Sequence, residues 1–318
     1  MEKLKNILDY IGNTPIISLN KKTTKIDNNI LVKLEFLNPS GSIKDRIALQ
    51  MIEDAEAKGL LKPGYTVIEA STGNTAIALS FVGAMKGYKV KIFMPKEVGE
   101  QEKLKIIKLY GAEVETIETG YSYEAKDGSV HGGQIEIIPR SKCLELERKD
   151  NTVWWARQFS NPMNAYAHQK TTGEEIIKQT NGDVDAFVAS AGTAGTILGV
   201  GRALKKMNKN IKIVGVEPAG SVILRKGKSS IKIIEGITGG LLLEALDVVD
   251  EVLVIENDEA VNMANNLARE EGLFCGISGG ANVLASIQIA KKYPQLNNIV
   301  TVLPDRRDRY FTKERYTT

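Results

Sequence analysis

The sequence predicts an α/β protein built on parallel sheets. Two observations carry this. Short apolar runs alternate with helix-period segments along most of the chain, and glycines stand where the helices should stop. Strand–helix–strand repetition implies parallel strands joined by right-handed crossovers. With 318 residues the chain exceeds what one typical core needs, so length gives one or two domains, and the alternation, broken once and resumed, gives two α/β units.

In order, residues 30–36 read as a strand. Residues 45–58 read as a helix, with Ile47, Met51 and Ala55 on one face and Gly59 as its stop. A strand at 66–69 precedes a Ser-Thr-Gly-Asn turn and a helix at 75–86, closed by Gly87. A strand at 89–94, a helix at 100–110 closed by Gly111, and a strand at 113–117 follow. The pattern breaks over 120–140, which holds Gly128, Gly132, Gly133 and Pro139. That stretch is expected to be a long loop or a small hairpin, since 134–138 alternates. A functional loop and a tolerated surface insertion both fit it. After Asn151 the alternation resumes, with helices at 165–179, 196–207, 258–271 and 280–292. The strands between them fall at 186–189, 211–217, 252–255 and 299–303. No period of 20–50 residues repeats.

Composition narrows the function classes. Hydrophobic residues make up 42% and charged residues 25%, ordinary for a globular protein, and the net charge is only +3. No basic stretch is interleaved with aromatics, so nucleic acid is not expected as a partner. No run of apolar residues is long enough to span a membrane, and Met1-Glu-Lys-Leu-Lys-Asn lacks the apolar core of a signal peptide. Cys143 and Cys275, the only cysteines, lie far apart, which suits a reducing cytoplasm rather than a disulfide framework. The two histidines, His131 and His168, have no cysteine pair nearby. No metal site is expected, and a polar surface or core role is the reading for both.

Four segments place small residues where a strand gives way to a helix, the place where open α/β sheets hold ligands. In Asn38-Pro-Ser-Gly-Ser-Ile-Lys44-Asp-Arg46 a lysine stands in a first helical turn, where the helix dipole disfavours its charge. It is a candidate Schiff-base former, or simply a surface lysine. Glu69-Ala-Ser71-Thr72-Gly73-Asn74-Thr75 offers amides and hydroxyls that would seat a carboxylate, or a plain N-cap. Ser190-Ala-Gly192-Thr193-Ala194-Gly195-Thr196 would let backbone amides close around a phosphate, or form a tight turn. It matches neither the nucleoside-triphosphate loop nor the dinucleotide fingerprint. In Leu303-Pro304-Asp305-Arg306-Arg307-Asp308-Arg309-Tyr310 a carboxylate follows the last strand, where it could face a ring nitrogen or belong to a solvated charge cluster.

In this order the four segments resemble the cysteine synthase and cystathionine β-synthase family, closest to its O-acetylserine and O-phosphoserine sulfhydrylase branches. The resemblance runs from Asn13-Thr14-Pro15 to Tyr310. It includes Gln158-Phe-Ser-Asn-Pro162, Lys170-Thr-Thr-Gly173-Glu-Glu175 and Gly276-Ile-Ser278-Gly-Gly280. It implies the tryptophan-synthase-β-like fold of fold type II pyridoxal-phosphate enzymes, with two three-layer α/β domains. The small mobile domain would be 45–150, and the large one 1–44 plus 151–318. Lys44 would hold pyridoxal 5'-phosphate as a Schiff base. Gly192, Thr193, Ala194, Gly195 and Thr196 would form the phosphate cup. Asn74 would bond the ring hydroxyl, and Asp305 would face the ring nitrogen, a place often taken by serine. Ser71, Thr72, Gly73, Asn74, Thr75 and Gln158 would bind the substrate carboxylate.

The implied reaction is β-replacement on an activated serine. The cofactor stabilises charge at Cα, Lys44 moves the Cα proton, and loss of the β-substituent leaves an aminoacrylate to which sulfide or a thiol adds. Closure of the carboxylate loop would shed water. Replacement or elimination on cysteine or serine, with release of hydrogen sulfide, shares that intermediate. From another class, a non-catalytic regulatory subunit is opposed by the intact Lys44 and cup, and a nucleotide-binding protein by the missing fingerprint. The resemblance also implies a homodimer, with residues 11–19 in the contact. No haem-binding extension or C-terminal regulatory pair falls within the sequence, so control through extra domains is not expected. Three departures stand out: Asp305 itself, Ala194 where the cup commonly has glycine, and the 120–140 segment in place of a helical region. Arg225, Lys226 and Lys228 would face the entrance, either to meet a phosphorylated donor or as a solvated loop.

Overall fold

The computed structural model describes residues 4–96, 101–119, 136–219 and 244–311. Two sheets organise them. A six-stranded sheet has the order β1-β2-β10-β7-β8-β9, and a four-stranded sheet the order β5-β4-β3-β6. The larger sheet comprises β1 (Ile16–Ser18), β2 (Asn29–Lys33), β7 (Ala186–Ser190), β8 (Lys212–Pro218), β9 (Glu251–Ile255) and β10 (Asn298–Val302). The smaller comprises β3 (Thr66–Ala70), β4 (Lys89–Pro95), β5 (Glu113–Ile117) and β6 (Val153–Trp155). Only the β1–β2 pair is antiparallel.

The helices are α1 (Lys21–Thr24), α2 (Lys44–Ala57), α3 (Asn74–Lys86), α4 (Gln101–Leu109), α5 (Ile137–Lys149) and α6 (Pro162–His168). They continue with α7 (Glu174–Gln179), α8 (Gly195–Met207), α9 (Asn257–Glu271) and α10 (Ile277–Lys292). The period-2 alternation of the strands explains the layering. In β7, Ala186 and Val188 pack in one cluster with Val283 and Ile287 of α10, while Phe187 and Ala189 pack in another with Ile197, Leu198 and Val200 of α8. In the smaller sheet Val67 and Ile92 face α2 and α3, whereas Ile68, Ala70 and Phe93 face Cys143 on α5. Each sheet therefore carries helices on both faces, the three-layer α/β arrangement that the family resemblance implies.

Differences from the sequence reading have identifiable causes. The loop expected over 120–140 gives way to helix at Ile137, and α5 runs to Lys149. Its inward positions include Glu136 and Arg140, so charged residues hide the period, and Pro139 sits in the first turn, where its missing N–H is tolerated. Residues 120–135 and the entrance residues Arg225, Lys226 and Lys228 lie outside the described residues, as does His131. The helix expected over 165–179 is interrupted by a π-helical turn at Gln169–Gly173. There the Thr171 hydroxyl donates to the Ala167 carbonyl (2.7 Å) and Thr172 bonds His168. The strand expected over 30–36 stops at Lys33, because a 3-10 turn follows at Glu35–Leu37. β1 and β6 were too short to register.

Four buried or nearly buried charges tie the two sheets together behind α2. Arg46 donates to both oxygens of Glu35 (2.8 Å each) and to both of Glu175 (2.7 Å each). Lys33 also reaches Glu175 at 2.8 Å. Glu35 further accepts from Thr14 and Asn38 (2.7 and 2.9 Å). Two cations face two anions, and the Arg46 side chain is 1% exposed. Removing one member strands its partners in a medium that cannot solvate them. Arg46→Met is therefore expected to lower the free energy of unfolding by about 3–5 kcal/mol in urea titration. A loss under 1 kcal/mol would contradict the network's role.

Candidate active site

The four segments singled out in the sequence follow the carboxyl ends of β2, β3, β7 and β10. Backbone contacts fasten the first to the last. Ser42 bridges Asp305, the Ile43 N–H donates to the Pro304 carbonyl (2.8 Å), and the Arg306 N–H donates to the Gly41 carbonyl (3.3 Å).

Lys44, Asp45 and Arg46 open α2, and successive residues of a helix point about 100° apart. Arg46 enters the charge network. Asp45 accepts from the Ser40 N–H (2.7 Å) and the Ser40 hydroxyl, holding its own loop against the helix. Burial raises the Asp45 carboxyl to about 6, against the hydrogen bonds from Ser40. Lys44 has no hydrogen-bond or ion-pair partner for its ammonium among the described residues. Burial lowers its pKa to about 8, with the charge of Asp305 opposing. Such an amine loses its proton far more readily than a surface lysine.

Asp305 is buried. Its Oδ2 accepts from the Asn74 amide (2.6 Å) and from the Tyr310 hydroxyl. Its Oδ1 has no partner among the described residues, although it is buried. A Cβ at Gly276 would overlap that oxygen, so the absence of a side chain there is what leaves it room. Arg309 donates to Asn74 Oδ1 and to the Ser40 carbonyl. The side chain of Asn74 is thus held between the last strand's loop and the buried guanidinium.

The 190–196 segment forms a turn into α8. Ala194 is in the left-handed region (φ +66°), where a non-glycine residue costs about 1–2 kcal/mol. This is the position where the resemblance would have had glycine. The N-cap residue of the apolar, thirteen-residue α8, Ala194, makes no side-chain cap bond, and the Gly195 N–H donates to the Thr193 hydroxyl (3.4 Å). Gly195 is tightly fitted, since a Cβ there would overlap the Asn164 amide. Thr193 is buried and accepts from Asn164 Nδ2 (3.0 Å). Thr196 meets Nε2 of His168 (3.3 Å), a buried imidazole in the core role expected of it. Burial, with the charges of Lys44 and Arg46, holds His168 well below its ordinary pKa. Gly192 lies open at the rim.

One chain of hydrogen bonds links this turn to the 69–75 loop. The Thr75 hydroxyl donates to Gln158 Oε1 (2.6 Å), and Asn164 Nδ2 donates to the Gln158 carbonyl (2.7 Å) as well as to Thr193. The Gln158 N–H donates to Glu69 (2.8 Å), which also accepts from the Trp155 indole (2.8 Å). Ser71 is buried, its hydroxyl accepting from the Gly73 N–H (3.3 Å). Thr72 donates through its N–H (3.0 Å) and its hydroxyl (3.4 Å) to Glu136. Burial raises the Glu136 carboxyl to about 7, with Arg140 opposing at 3.4 Å.

The structure therefore brings together Lys44, Ser71, Thr72, Gly73, Asn74, Thr75, Gln158, Thr193, Ala194, Gly195, Thr196 and Asp305. Gly192 is placed only by its neighbours. Sequence reading missed Asn164, Arg309 and Glu136. Asn161-Pro162 starts a helix just after Gln158, which could have flagged Asn164. Glu136 and Arg140 at a spacing of four could have been read as an inward pair.

Residues 7–305 match the family described as "Pyridoxal-phosphate dependent enzyme". A Staphylococcus aureus protein named cysteine synthase is 40% identical over 315 residues, covering 98% of this chain and 97% of its own. The crystal structure of an O-acetyl serine sulfhydrylase, isoform 3, from Entamoeba histolytica superposes with a TM-score of 0.85 at 37% identity, covering 100% of this chain and 92% of that one. A hydrogen sulfide-producing enzyme from Fusobacterium nucleatum gives 0.84 at 35% identity, covering 98% and 99%.

The raised carboxyl of Glu136 has a consequence for folding. A group whose proton is held more tightly in the native state makes that state less stable as pH rises between the unfolded value, near 4.5, and about 7. Glu136→Gln should remove this loss. Its stability relative to the parent is expected to improve across that window by on the order of 2 kcal/mol. Denaturant titrations of both proteins at pH 5 and pH 7.5 measure it, and a pH-independent difference would contradict the burial of the charge.

Proposed function

The chain belongs to the pyridoxal-phosphate-dependent enzyme family, and we propose that it forms L-cysteine from O-acetylserine or O-phosphoserine and sulfide by β-replacement. The observation that carries this reading is Lys44: an amine at a helix start, without an ion-pair partner among the described residues, with its pKa lowered to about 8. Beside it lies an uncapped helix N-terminus whose Gly195 has no room for a side chain.

The residues present fit pyridoxal phosphate. The α8 start offers a helix dipole and backbone N–H groups for the phosphate, read from Gly192, Thr193, Ala194, Gly195 and Thr196, the Gly195 N–H now resting on the Thr193 hydroxyl (3.4 Å). The buried, unpartnered Oδ1 of Asp305 is an acceptor suited to a protonated ring nitrogen. Asn74 is read as the neighbour of the ring hydroxyl. When bound, the cofactor supplies an electron sink for charge developing at the substrate Cα.

The protein's own residues do the rest. Lys44 takes the proton from Cα and later returns it, a task suited to an amine titrating near neutrality. Asp305, held by Asn74 and Tyr310, presents its remaining carboxyl oxygen to the ring side. Ser71, Thr72, Gly73, Asn74, Thr75 and Gln158 orient the α-carboxylate through loop amides and hydroxyls. Closing that loop excludes water, and residues 45–150, which carry β3, β4 and β5, are read as the small unit that moves against 1–44 plus 151–318, although β6 (Val153–Trp155) of the same sheet falls just past that boundary. A homodimer is read with residues 11–19 in the contact, because β1 is an edge strand whose outer side is unpaired among the described residues. Two free, buried thiols suit a cytoplasmic setting.

A second reading, release of hydrogen sulfide from cysteine, is favoured by the likeness to the Fusobacterium enzyme. The experiment that separates them mixes the holoenzyme with O-acetylserine, O-phosphoserine, serine and cysteine in turn and follows the cofactor's absorbance. One of the activated serines should respond fastest and yield cysteine with sulfide. A response to cysteine alone, with sulfide evolved, would establish the second reading instead. Lys44→Ala should retain no covalently linked cofactor. Gly195→Ala should weaken cofactor retention by about 10-fold or more, since its methyl must push Asn164 off Thr193. Equilibrium dialysis against the free vitamer checks this, and parent-like retention would contradict the proposed seat.

A further inference from the structure

The Thr72 amide, proposed above for the substrate carboxylate, already has a carboxylate on it. Glu136 Oε1 accepts from the Thr72 N–H at 3.0 Å and from the Thr72 hydroxyl at 3.4 Å. This carboxylate comes from the start of α5, across the smaller sheet from α3, and its side chain is 7% exposed. Nothing in the fold requires a charge there to cap α3, whose N-cap residue is Gly73. Resting on the proposed reading of this loop, we infer that Glu136 is an internal competitor of the substrate's α-carboxylate for Thr72, and so sets how tightly the amino acid binds.

The argument is one of occupancy and charge. An amide N–H presents one proton, and two carboxylates cannot share it without like-charge repulsion in a partly dry site. The incoming substrate must displace Glu136 or meet it after it has taken a proton. The groups that face Glu136 among the described residues decide which. Arg140, one turn along α5, favours its charged form from 3.4 Å, as do the hydrogen bonds from Thr72. Glu69 on β3 disfavours it, and burial disfavours it most. The Arg140 guanidinium stacks over the Phe159 ring at 3.6 Å and its Nε has no partner among the described residues, so Glu136 is held by Thr72 at one oxygen and by Arg140 at the other. The balance leaves the carboxyl close to half-protonated near pH 7. Below that pH the competitor is neutral and the substrate meets less resistance. Above it the competitor is charged and resists.

The test uses the holoenzyme and the donor half-reaction alone, with no sulfide, so that titration of the nucleophile does not enter. The apparent dissociation constant for O-acetylserine is read from the cofactor spectrum between pH 6 and pH 8.5 for the parent, Glu136→Gln and Glu136→Ala. The donor's own α-amine titrates equally in all three proteins, so the ratio of the parent's value to that of Glu136→Gln should rise with pH through about 7. Both variants should bind the donor about tenfold more tightly at pH 8, the change falling on binding rather than on the rate of the spectral step. Parent-like affinity and pH dependence in both variants would overturn the inference, as would weaker binding in both. A parent whose Lys44-bound cofactor responds to no amino acid would instead overturn the functional reading on which the inference rests.

Discussion

Everything at this site depends on the first turn of α2, where three consecutive side chains are committed in three directions. Arg46 is locked by Glu35 and Glu175, Asp45 by Ser40, and Lys44 is left without an ionic partner. The helix can neither rotate nor slide without stranding a buried charge, which costs several kcal/mol. A lysine alone in a pocket would turn toward water or toward Asp305. The neighbours on either side fix the backbone beneath it, so its amine is presented from a rigid base. The network matters for function through this positioning, and not because buried ion pairs are strong in themselves.

The second constraint is continuity between the two sheets. Thr75, Gln158, Asn164 and Thr193 form one run of hydrogen bonds from the smaller sheet's loop to the turn before α8. Asn74, Asp305 and Tyr310 form another, from the same loop to the last strand. A movement of the 69–75 loop is therefore felt at both ends of the site. Small residues make this possible: Gly195 and Gly276 let Asn164 and Asp305 approach the backbone where any side chain would collide.

Much of this was legible in the sequence. The period-2 and period-3.6 patterns located most strands and helices within a residue or two, because their inward faces are apolar. The same reasoning failed at residues 137–149, where the inward faces of α5 carry Glu136 and Arg140, and a charged residue inside looks like a charged residue outside. The segments around Lys44, Ser71, Gly192 and Asp305 were found because small residues cluster at strand ends. What could not be read was which partners they would choose. Asn164 and Arg309 act on the site across 29 and 235 positions of sequence, and no local pattern encodes such pairings. The π-helical turn at Gln169–Gly173 was hidden for a similar reason, since the residues that widen it are ordinary helix occupants.

The indole of Trp155 is hydrogen-bonded to Glu69, whose other oxygen holds the backbone of Gln158. The chain has only two tryptophans, neighbours on β6 whose buried side chains pack on opposite faces of the smaller sheet, and Trp155 alone bonds Glu69. The emission of Trp155 is consequently a built-in optical probe of the buried acid at the end of β3. Light absorbed by the protein itself carries a signal from the region where strand end, loop and buried acid meet, with no dye or label attached.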